Sequence, residues 1–293
     1  MKLYEIKEKV KFNQDDLKIL SVLAQDPRIR ISKLSKITNI PRERINYRIG
    51  RMQKLGLIQG FCSIINFPKI NYRYYILVGK IKNLDKLKSR IDSNSRILKA
   101  HLGVGDFSIV LEFYSKDIGD AKNTYNSIRN YLKDIEIYEV GSINRYLHLN
   151  PKDFGIYQWL ENGKKEVIDI ESYYEILKIL TENCRIPISL LKNKISKKEI
   201  EYLFHKEILI PYLCLNTSLL GYRSYFVICE ENGLHLLRDN SIIIYKTAFN
   251  YDYLCVLDLK SEKEFQEIQN KLESSDTNFK FMIETSEVKY TEI

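Results

Sequence analysis

The chain repeats itself at long range, and this repetition limits its fold more than any other feature. Three segments of the first half return in the same order in the second half. The pairs are RIRISKL (28–34) with RIPISLL (185–191), NYRYYILV (71–78) with GYRSYFVI (221–228), and DFSIVLEF (106–113) with NYDYLCVL (250–257). Self-similarity at a long period indicates duplicated structural units. We therefore predict two related halves, of which the second is degenerate.

The beginning of the chain predicts three short helices. QDDLKILSVLAQ (14–25) places apolar residues at helical spacing after Asn13, an expected N-cap. Ser32 is predicted to cap a second helix. Pro41 suits the first position of a third helix, because it has no N–H to leave unsatisfied there, and Gly56 is a typical left-handed stop.

The residues after Gly56 alternate like a short hairpin, LIQGFCSIIN. Three helices followed by a small β element predict a winged helix-turn-helix domain over residues 1–66. The wing would lie around Gln59–Ser63 and contact the backbone of nucleic acid.

The third helix, residues 41–55, has two distinct faces. Ile45, Ile49 and Met52 form an apolar stripe at helical spacing, which predicts the buried face. At about 100° per residue, the opposite face carries Arg44, Tyr47, Arg51 and Lys54. Arginine forks suit phosphate and guanine contacts, whereas a merely solvated charged face is the simpler alternative.

The distribution of charge favours the nucleic-acid interpretation. Residues 1–66 hold 14 Lys+Arg and 6 Asp+Glu, while residues 67–293 hold 32 of each, so the whole net charge of +8 lies in the first quarter. A basic segment of this kind is the electrostatic footprint of a polyanion partner. We predict double-stranded DNA as the partner. The predicted DNA-binding residues are Arg28, Arg30, Ser32, Lys36, Arg42, Arg44, Tyr47, Arg48, Arg51 and Lys54.

The pattern after residue 72 changes to alternating strands and helices. Its order, βαββαβ, predicts a four-stranded antiparallel sheet with two helices on one face, a ferredoxin-like domain. The predicted fold class is α+β, a winged helix-turn-helix plus a ferredoxin-like domain, repeated in degenerate form. The predicted units are 1–66, 67–149, a linker at 150–172 with Trp159 as an anchor, a degenerate helical unit at 173–216, and a second ferredoxin-like domain at 217–293.

The second helical unit lacks the basic character of the first. SLLKNKISKKEIEYLFHKEILI (189–210) contains no arginine, has neither the proline nor the glycine of the first copy, and is five residues shorter over the matched span. We predict a structural remnant that packs or dimerises. A weak phosphate contact through Lys194, Lys197 and Lys198 is the alternative.

Taken in order, these motifs resemble the Lrp/AsnC (leucine-responsive, feast/famine) family of transcription regulators. Asp16–Leu23 matches the family's D-x-x-I-L-x-x-L opening, and Arg48–Ile58 matches R-I-x-x-L-x-x-x-G-x-I with Met52 in place of leucine. GVGDFSIVLEF (103–113) is similar to the family's glycine–aspartate motif. The likeness covers residues 14–149 well and 173–290 loosely.

The resemblance implies a sequence-specific DNA-binding regulator whose ferredoxin-like domains pair, giving a homodimer or, with two copies per chain, an internal pseudo-dimer. It also implies a small effector, such as an amino acid, bound by Gly103, Gly105, Asp106 and Phe107. The simpler alternative for these residues is a hairpin corner that needs glycine for positive φ. The second copy has no such glycines.

Other classes of function stay open at this stage. A protein–protein adaptor without DNA binding is one alternative, although the basic first domain argues against it. A sirohaem-decarboxylase-like enzyme using His101 is another, since Lrp-like folds occur in such enzymes. The other histidines are isolated, and no catalytic spacing or phosphate loop is present, so the expectation is no enzyme and no cofactor.

The remaining sequence signals concern the compartment. The five cysteines are scattered without a CxxC pair, which predicts buried thiols and neither a metal site nor disulfides. No apolar run is long enough for a membrane span, and the N-terminus lacks a signal-peptide pattern, so the expected location is the cytoplasm. The Ile-, Lys- and Tyr-rich composition suggests an AT-rich, archaeal genome.

Overall fold

A computed structural model describes residues 12–70, 72–145, 158–160, 170–191, 195–238, 241–247 and 253–290. The helices are α1 (Gln14–Gln25), α2 (Ile31–Thr38), α3 (Arg42–Lys54), α4 (Leu84–Ser93), α5 (Ile118–Ile128), α6 (Ile170–Glu182), α7 (Lys197–His205), α8 (Leu234–Leu237) and α9 (Glu262–Ser274). The strands are β1 (Ile58–Ile65), β2 (Arg73–Ile81), β3 (Ile97–Gly105), β4 (Ile109–Ser115), β5 (Leu132–Arg145), β6 (Gln158–Leu160), β7 (Leu209–Leu215), β8 (Arg223–Cys229), β9 (Ser241–Thr247), β10 (Tyr253–Leu259) and β11 (Phe279–Tyr290). Most of the predicted linker lies outside the described residues.

The three N-terminal helices form where the sequence predicts them. Asn13 caps α1 in a reciprocal capping box, with its side chain accepting from the Asp16 N–H at 3.0 Å. The prediction that Ser32 caps α2 is wrong, because the helix already begins at Ile31, with Arg30 in the N-cap position and no side-chain cap. Pro41, which was predicted at the first position of α3, lies one residue earlier, in the N-cap position. Gly56 follows α3 with a φ of 74°, in the left-handed region that favours glycine.

The predicted wing hairpin is wrong. Residues 58–65 form one strand, β1, whose antiparallel partner is β7 from the second half of the chain. The alternation of side chains was that of a half-buried strand, but periodicity does not tell whether the partner strand is local or distant. Phe61 to Ser63 are consequently buried, so this segment does not project as a wing.

Two ferredoxin-like units build the large sheet. In the first unit the strand order is β5-β2-β4-β3, and in the second it is β9-β10-β8-β11. In both units the first strand in sequence lies between the fourth and the third, and the second strand is an edge. Their edges join, since β3 pairs with β11 and β5 with β9, and the eight strands close into a barrel with β6 added to β5.

An approximate twofold axis relates the two halves. It passes through the β1–β7 pair, where Phe61 faces Leu213 and Cys62 faces Tyr212. The ends of this ribbon repeat one hydrogen bond: the Asn66 N–H donates to the Ile208 carbonyl at 2.8 Å, and the Asn216 N–H donates to the Leu57 carbonyl at 2.9 Å. The chain is therefore arranged like a dimer of its own halves.

This arrangement changes the expectation of a homodimer through the ferredoxin-like domains. The edge strands that would pair with a second chain are already paired with one another inside the chain. A second chain could use these edges only by opening the barrel.

All five cysteines lie in the described part, where none forms a disulfide and four are buried. Among the described residues, no helix is long and apolar enough to cross a membrane.

Candidate nucleic-acid interface

The helix α3 is fixed by its apolar face. Ile45, Ile49 and Met52 are buried against α1 and α2, together with Leu20 and Leu34. The predicted stripe is thereby confirmed. Burial of this face fixes which residues of α3 point away from the domain, because the rotation of a helix about its axis follows from its buried stripe.

The opposite face of α3 is exposed and basic. Tyr47 is one of the most exposed large hydrophobic residues in the described part of the chain, with 71% of its surface accessible. Arg44 is 57% and Arg51 is 38% exposed at the side chain. Arg42 and Lys54 are exposed at the two ends of the helix. These five side chains present guanidinium, ammonium and phenol donors to any ligand in front of the helix.

Two acids of α1 hold the arginines of α3. Asp15 lies 2.9 Å from the Arg44 guanidinium and 3.2 Å from that of Arg48. Asp16 is fully buried, accepts from Arg48 at 2.8 Å and lies 3.5 Å from Arg51. These ion pairs link α1 to α3 and orient the arginine side chains. In the sequence, Asp16 stands out only as a family position, and no local pattern pairs either acid with an arginine.

Arg48, which was predicted to bind DNA, lies in the interior of the helical unit. Only 9% of its side chain is exposed, and its guanidinium bonds to Asp16, Asp15 and the Asn13 side chain. A buried, paired guanidinium cannot reach phosphate without breaking these bonds, which is costly. Helical spacing alone gives no sign of the buried acid that holds Arg48.

The basic residues before and within α2 have different surroundings. Arg30 and Lys36 are exposed, while Ser32 is partly buried. Arg28 stacks on Phe204 of the second half, with its guanidinium carbon 3.7 Å from the ring centroid, and burial lowers the pKa of Arg28 below its ordinary value. Arg28 therefore helps to join the two halves.

The predicted effector segment lies against the second half of the chain. Gly103 and Gly105 pair with β11, and a Cβ on either would collide with the β11 backbone, at Ile283 and Phe281 respectively. The Asp106 carboxylate accepts from the Phe281 N–H at 3.0 Å, and Phe107 is buried. Gly105 has a φ of 146°, as the hairpin-corner alternative requires. Effector binding by these residues stays a prediction.

A polar cluster lies inside the barrel, and only His101 among its members was singled out from the sequence. Glu112 is 2% exposed; it accepts from the Tyr74 hydroxyl and, at 3.2 Å, from the Tyr245 hydroxyl. His101 lies 3.6 Å from Glu112 and 2.7 Å from Glu284. Tyr245 and Glu284 belong to the second half, so the cluster crosses the joint between the two sheets.

The charges of this cluster stabilise one another. Burial alone would raise the pKa of Glu112, but the charge of Lys99 and the hydrogen bond from His101 outweigh it and lower the pKa to about 2. Burial alone would lower the pKa of His101, but hydrogen bonds to Glu112 and Glu284 raise it to about 9. The buried pair is thus ionised at neutral pH. Among the described residues, no group of three or more His, Cys, Asp or Glu side chains is placed to hold a metal ion.

Comparisons with known proteins support the helix-turn-helix unit in the first half of the chain. A family model described as winged helix-turn-helix DNA-binding matches residues 13–59. An uncharacterised HTH-type transcriptional regulator of Pyrococcus horikoshii, PH0061, is 31% identical over 134 residues, which are 44% of this chain and 90% of that protein. The regulatory protein AsnC of Haemophilus influenzae is 28% identical over 109 residues, or 36% of this chain and 73% of its own length.

The whole chain has a structural counterpart as well. The crystal structure of the siroheme decarboxylase NirDL superposes with a TM-score of 0.63, covering 95% of this chain and 93% of that one. The identity of 13% makes this a likeness of fold. Both the sequence relatives and the helix-turn-helix geometry identify the family. The chain belongs to the Lrp/AsnC family of helix-turn-helix transcriptional regulators.

Proposed function

We propose that this protein regulates transcription by binding double-stranded DNA, with α3 in the major groove. The observation that carries the proposal is the exposed face of α3, where Arg44, Tyr47, Arg51 and Lys54 stand opposite the buried stripe. A helix enters the major groove with such a face, and arginine reads guanine edges or binds phosphate through its two parallel donors.

Further support comes from the surroundings of that face. Arg42 lies at the start of α3, and Lys36 and Arg30 are exposed on or before α2. These cations are placed to contact the phosphates on either side of the groove. We assign no base contact to Arg48, which is buried, and no wing contact to the strand β1.

The test is a band-shift titration of the full chain against DNA from upstream of its own gene, at about 50 and 200 mM salt. Binding should weaken steeply with salt because phosphate contacts release counterions. Arg51→Ala should cost roughly 1–3 kcal/mol of binding free energy if Arg51 reads a base. Salt-insensitive or absent binding would contradict the proposal and favour the adaptor alternative.

The enzyme alternative has less support. It would use His101, but both ring nitrogens of His101 face carboxylates, Glu284 at 2.7 Å and Glu112 at 3.6 Å. The Nδ1 bond to Glu284 and the nearby Glu112 carboxylate hold His101 within the cluster, which leaves it poorly placed to bind a ligand or a substrate. We therefore propose a role without catalysis. A haem-like absorbance band in the purified protein would contradict this and revive the sirohaem-decarboxylase alternative.

A further inference from the structure

We propose that one chain reads one asymmetric DNA site, with a single recognition helix, in place of the inverted repeat that two equal reading heads would require. This inference rests on the proposed function and concerns which DNA the protein selects and in what ratio. It follows from the comparison of the two helical units around the approximate twofold axis.

The helices α1 and α6 occupy equivalent places. The Asp26 N–H donates to the Val22 carbonyl at the end of α1, and the Asn183 N–H donates to the Ile179 carbonyl at the end of α6. The next turns also match. The Arg28 N–H donates to the Asp26 side chain, and the Arg185 N–H donates to the Asn183 side chain. In each of these contacts, the residue number in the second unit is 157 higher than that of its counterpart in the first.

The helices α3 and α7 are equivalent in the same sense. The Leu57 N–H donates to the Met52 carbonyl, and the Ile208 N–H donates to the Leu203 carbonyl, at a constant offset of 151. Ile49 and Ile200, the buried residues one turn earlier, keep the same offset. This offset allows residues of the recognition helix to be compared one by one with their counterparts in α7.

The counterparts on α7 include no arginine, so the guanidinium groups of the α3 face have no equivalent. Arg51 corresponds to Tyr202 and Tyr47 to Lys198, whereas the buried Arg48 corresponds to Glu199. Arg44 corresponds to Ile195, which is buried. The exposed residues Lys197 and Glu201 of α7 form an ion pair at 3.5 Å and neutralise each other. Where the first unit has the eight-residue helix α2, the described residues of the second unit form a short 3-10 turn at Ile188–Leu190.

The second unit occupies its place firmly. Arg185 stacks on Phe61, 4.0 Å from the ring centroid, and donates to the Ile29 carbonyl at 3.0 Å. The Cys184 N–H donates to the Phe61 carbonyl at 2.6 Å. In a dimer of two equal chains, the second chain would place its own recognition helix at this position. Here the position is filled by the second helical unit, whose helix α7 has no arginine. One chain already has the dimer-like frame, with half of its DNA contacts.

The experiment is a selection from a library of random 30-base-pair duplexes with the full chain, followed by sedimentation of the complex. The selected motif should lack inverted-repeat symmetry, and one chain should be bound per duplex. An inverted repeat bound by two chains would overturn the proposal. Absence of any enriched sequence, together with absence of salt-dependent binding, would contradict the DNA-binding function itself.

Two matched pairs of variants, each also compared by thermal unfolding, separate the loss of a DNA contact from a loss of stability. Tyr47→Ala and Arg51→Ala in α3 should each weaken binding to the selected duplex at least about fivefold. The equivalent exchanges in α7, Lys198→Ala and Tyr202→Ala, should change binding less than twofold. All four residues are solvent-accessible, so thermal unfolding serves to compare their stability. Equal losses in both helices would show that both units contact DNA and would overturn the proposal.

Discussion

In the first helical unit, charged side chains join α1 to α3, whereas in the second unit the Tyr173 hydroxyl meets Glu199 at 3.5 Å. Tyr173 and Glu199 are the counterparts of Asp16 and Arg48. The apolar residues beneath these pairs, by contrast, are alike in both units. The two units are thus alike in their apolar packing, while the basic surface and the buried acid that supports it occur in the first. Two units with similar cores can differ on their outer faces because the packing depends mainly on the apolar positions.

Unlike the two helical units, which differ in their polar side chains, the two sheets share one polar cluster to which both halves contribute. Glu112→Gln is expected to cost roughly 3 kcal/mol of unfolding free energy, because it removes the buried carboxylate that gives the partly buried His101 and Lys99 their counter-charge. Urea denaturation followed by circular dichroism measures this loss. A change below about 1 kcal/mol would mean that the cluster does not hold the two sheets together. Lys263→Ala on the exposed surface of α9 is the control.

The same cluster predicts how stability depends on pH. The lowered pKa of Glu112 stabilises the fold above the ordinary value of 4.5 and loses this contribution as pH falls toward about 2. The raised pKa of His101 stabilises the fold below 6.5 and loses this contribution as pH rises through about 9. The contribution of the cluster is therefore complete between these limits, near pH 4.5–6.5. Glu112→Gln should flatten the decline between pH 6.5 and 9, and superimposable profiles would contradict the assignment.

The buried acid of the first helical unit offers a direct comparison with the second. Asp16→Asn should lower the unfolding free energy by roughly 3 kcal/mol, because Arg48 remains buried with only Asp15 as a charged partner. Its counterpart exchange, Tyr173→Phe, removes a long, exposed hydrogen bond and should cost less than about 1 kcal/mol. Chemical denaturation of both variants measures the difference. Similar losses would mean that the two inter-helix contacts are equivalent after all.

The ends of α3 and α7 provide a smaller contrast. Both chains turn through the left-handed region, at Gly56 with a φ of 74° and at its counterpart Glu207 with a φ of 55°. Glu207→Gly should stabilise the protein, and Gly56→Ala should destabilise it, each by about 1 kcal/mol. No atom lies within 4 Å of a Cβ built on Gly56, so the second effect reports backbone conformation alone. Thermal unfolding that shifts in the same direction for both would refute this explanation.

The smallest expected effect concerns affinity for DNA. Asp15→Asn removes the acid that pairs with Arg44 at 2.9 Å and should strengthen binding about two- to fivefold, because the exposed guanidinium then meets phosphate without a competitor. Glu201→Gln on α7 is the control and should leave binding unchanged. Fluorescence anisotropy with a labelled duplex resolves such a change. Weaker binding by Asp15→Asn would instead mean that the acid positions Arg44 for its contact.

Local signals predicted most of the fold. The stripe of Ile45, Ile49 and Met52 fixed the rotation of α3, and the order of strands and helices identified the ferredoxin-like units. The errors came from contacts between distant residues: β1 was predicted to turn back on itself, yet its partner strand is β7, from the second half of the chain. Arg48 was assigned to DNA for the same reason, since no local pattern shows that Asp16 lies beside it. Pairings of this kind depend on the tertiary arrangement, which periodicity does not encode.

The pairing of the two sheets within one chain also affects how the protein responds to dilution. Two separate chains associate in proportion to the square of their concentration, whereas two halves joined by a covalent linker face each other at a fixed effective concentration. The joined halves therefore remain assembled at any expression level. The occupancy of a DNA site by such a chain should rise in simple proportion to the amount of protein, without the threshold that assembly from separate subunits imposes.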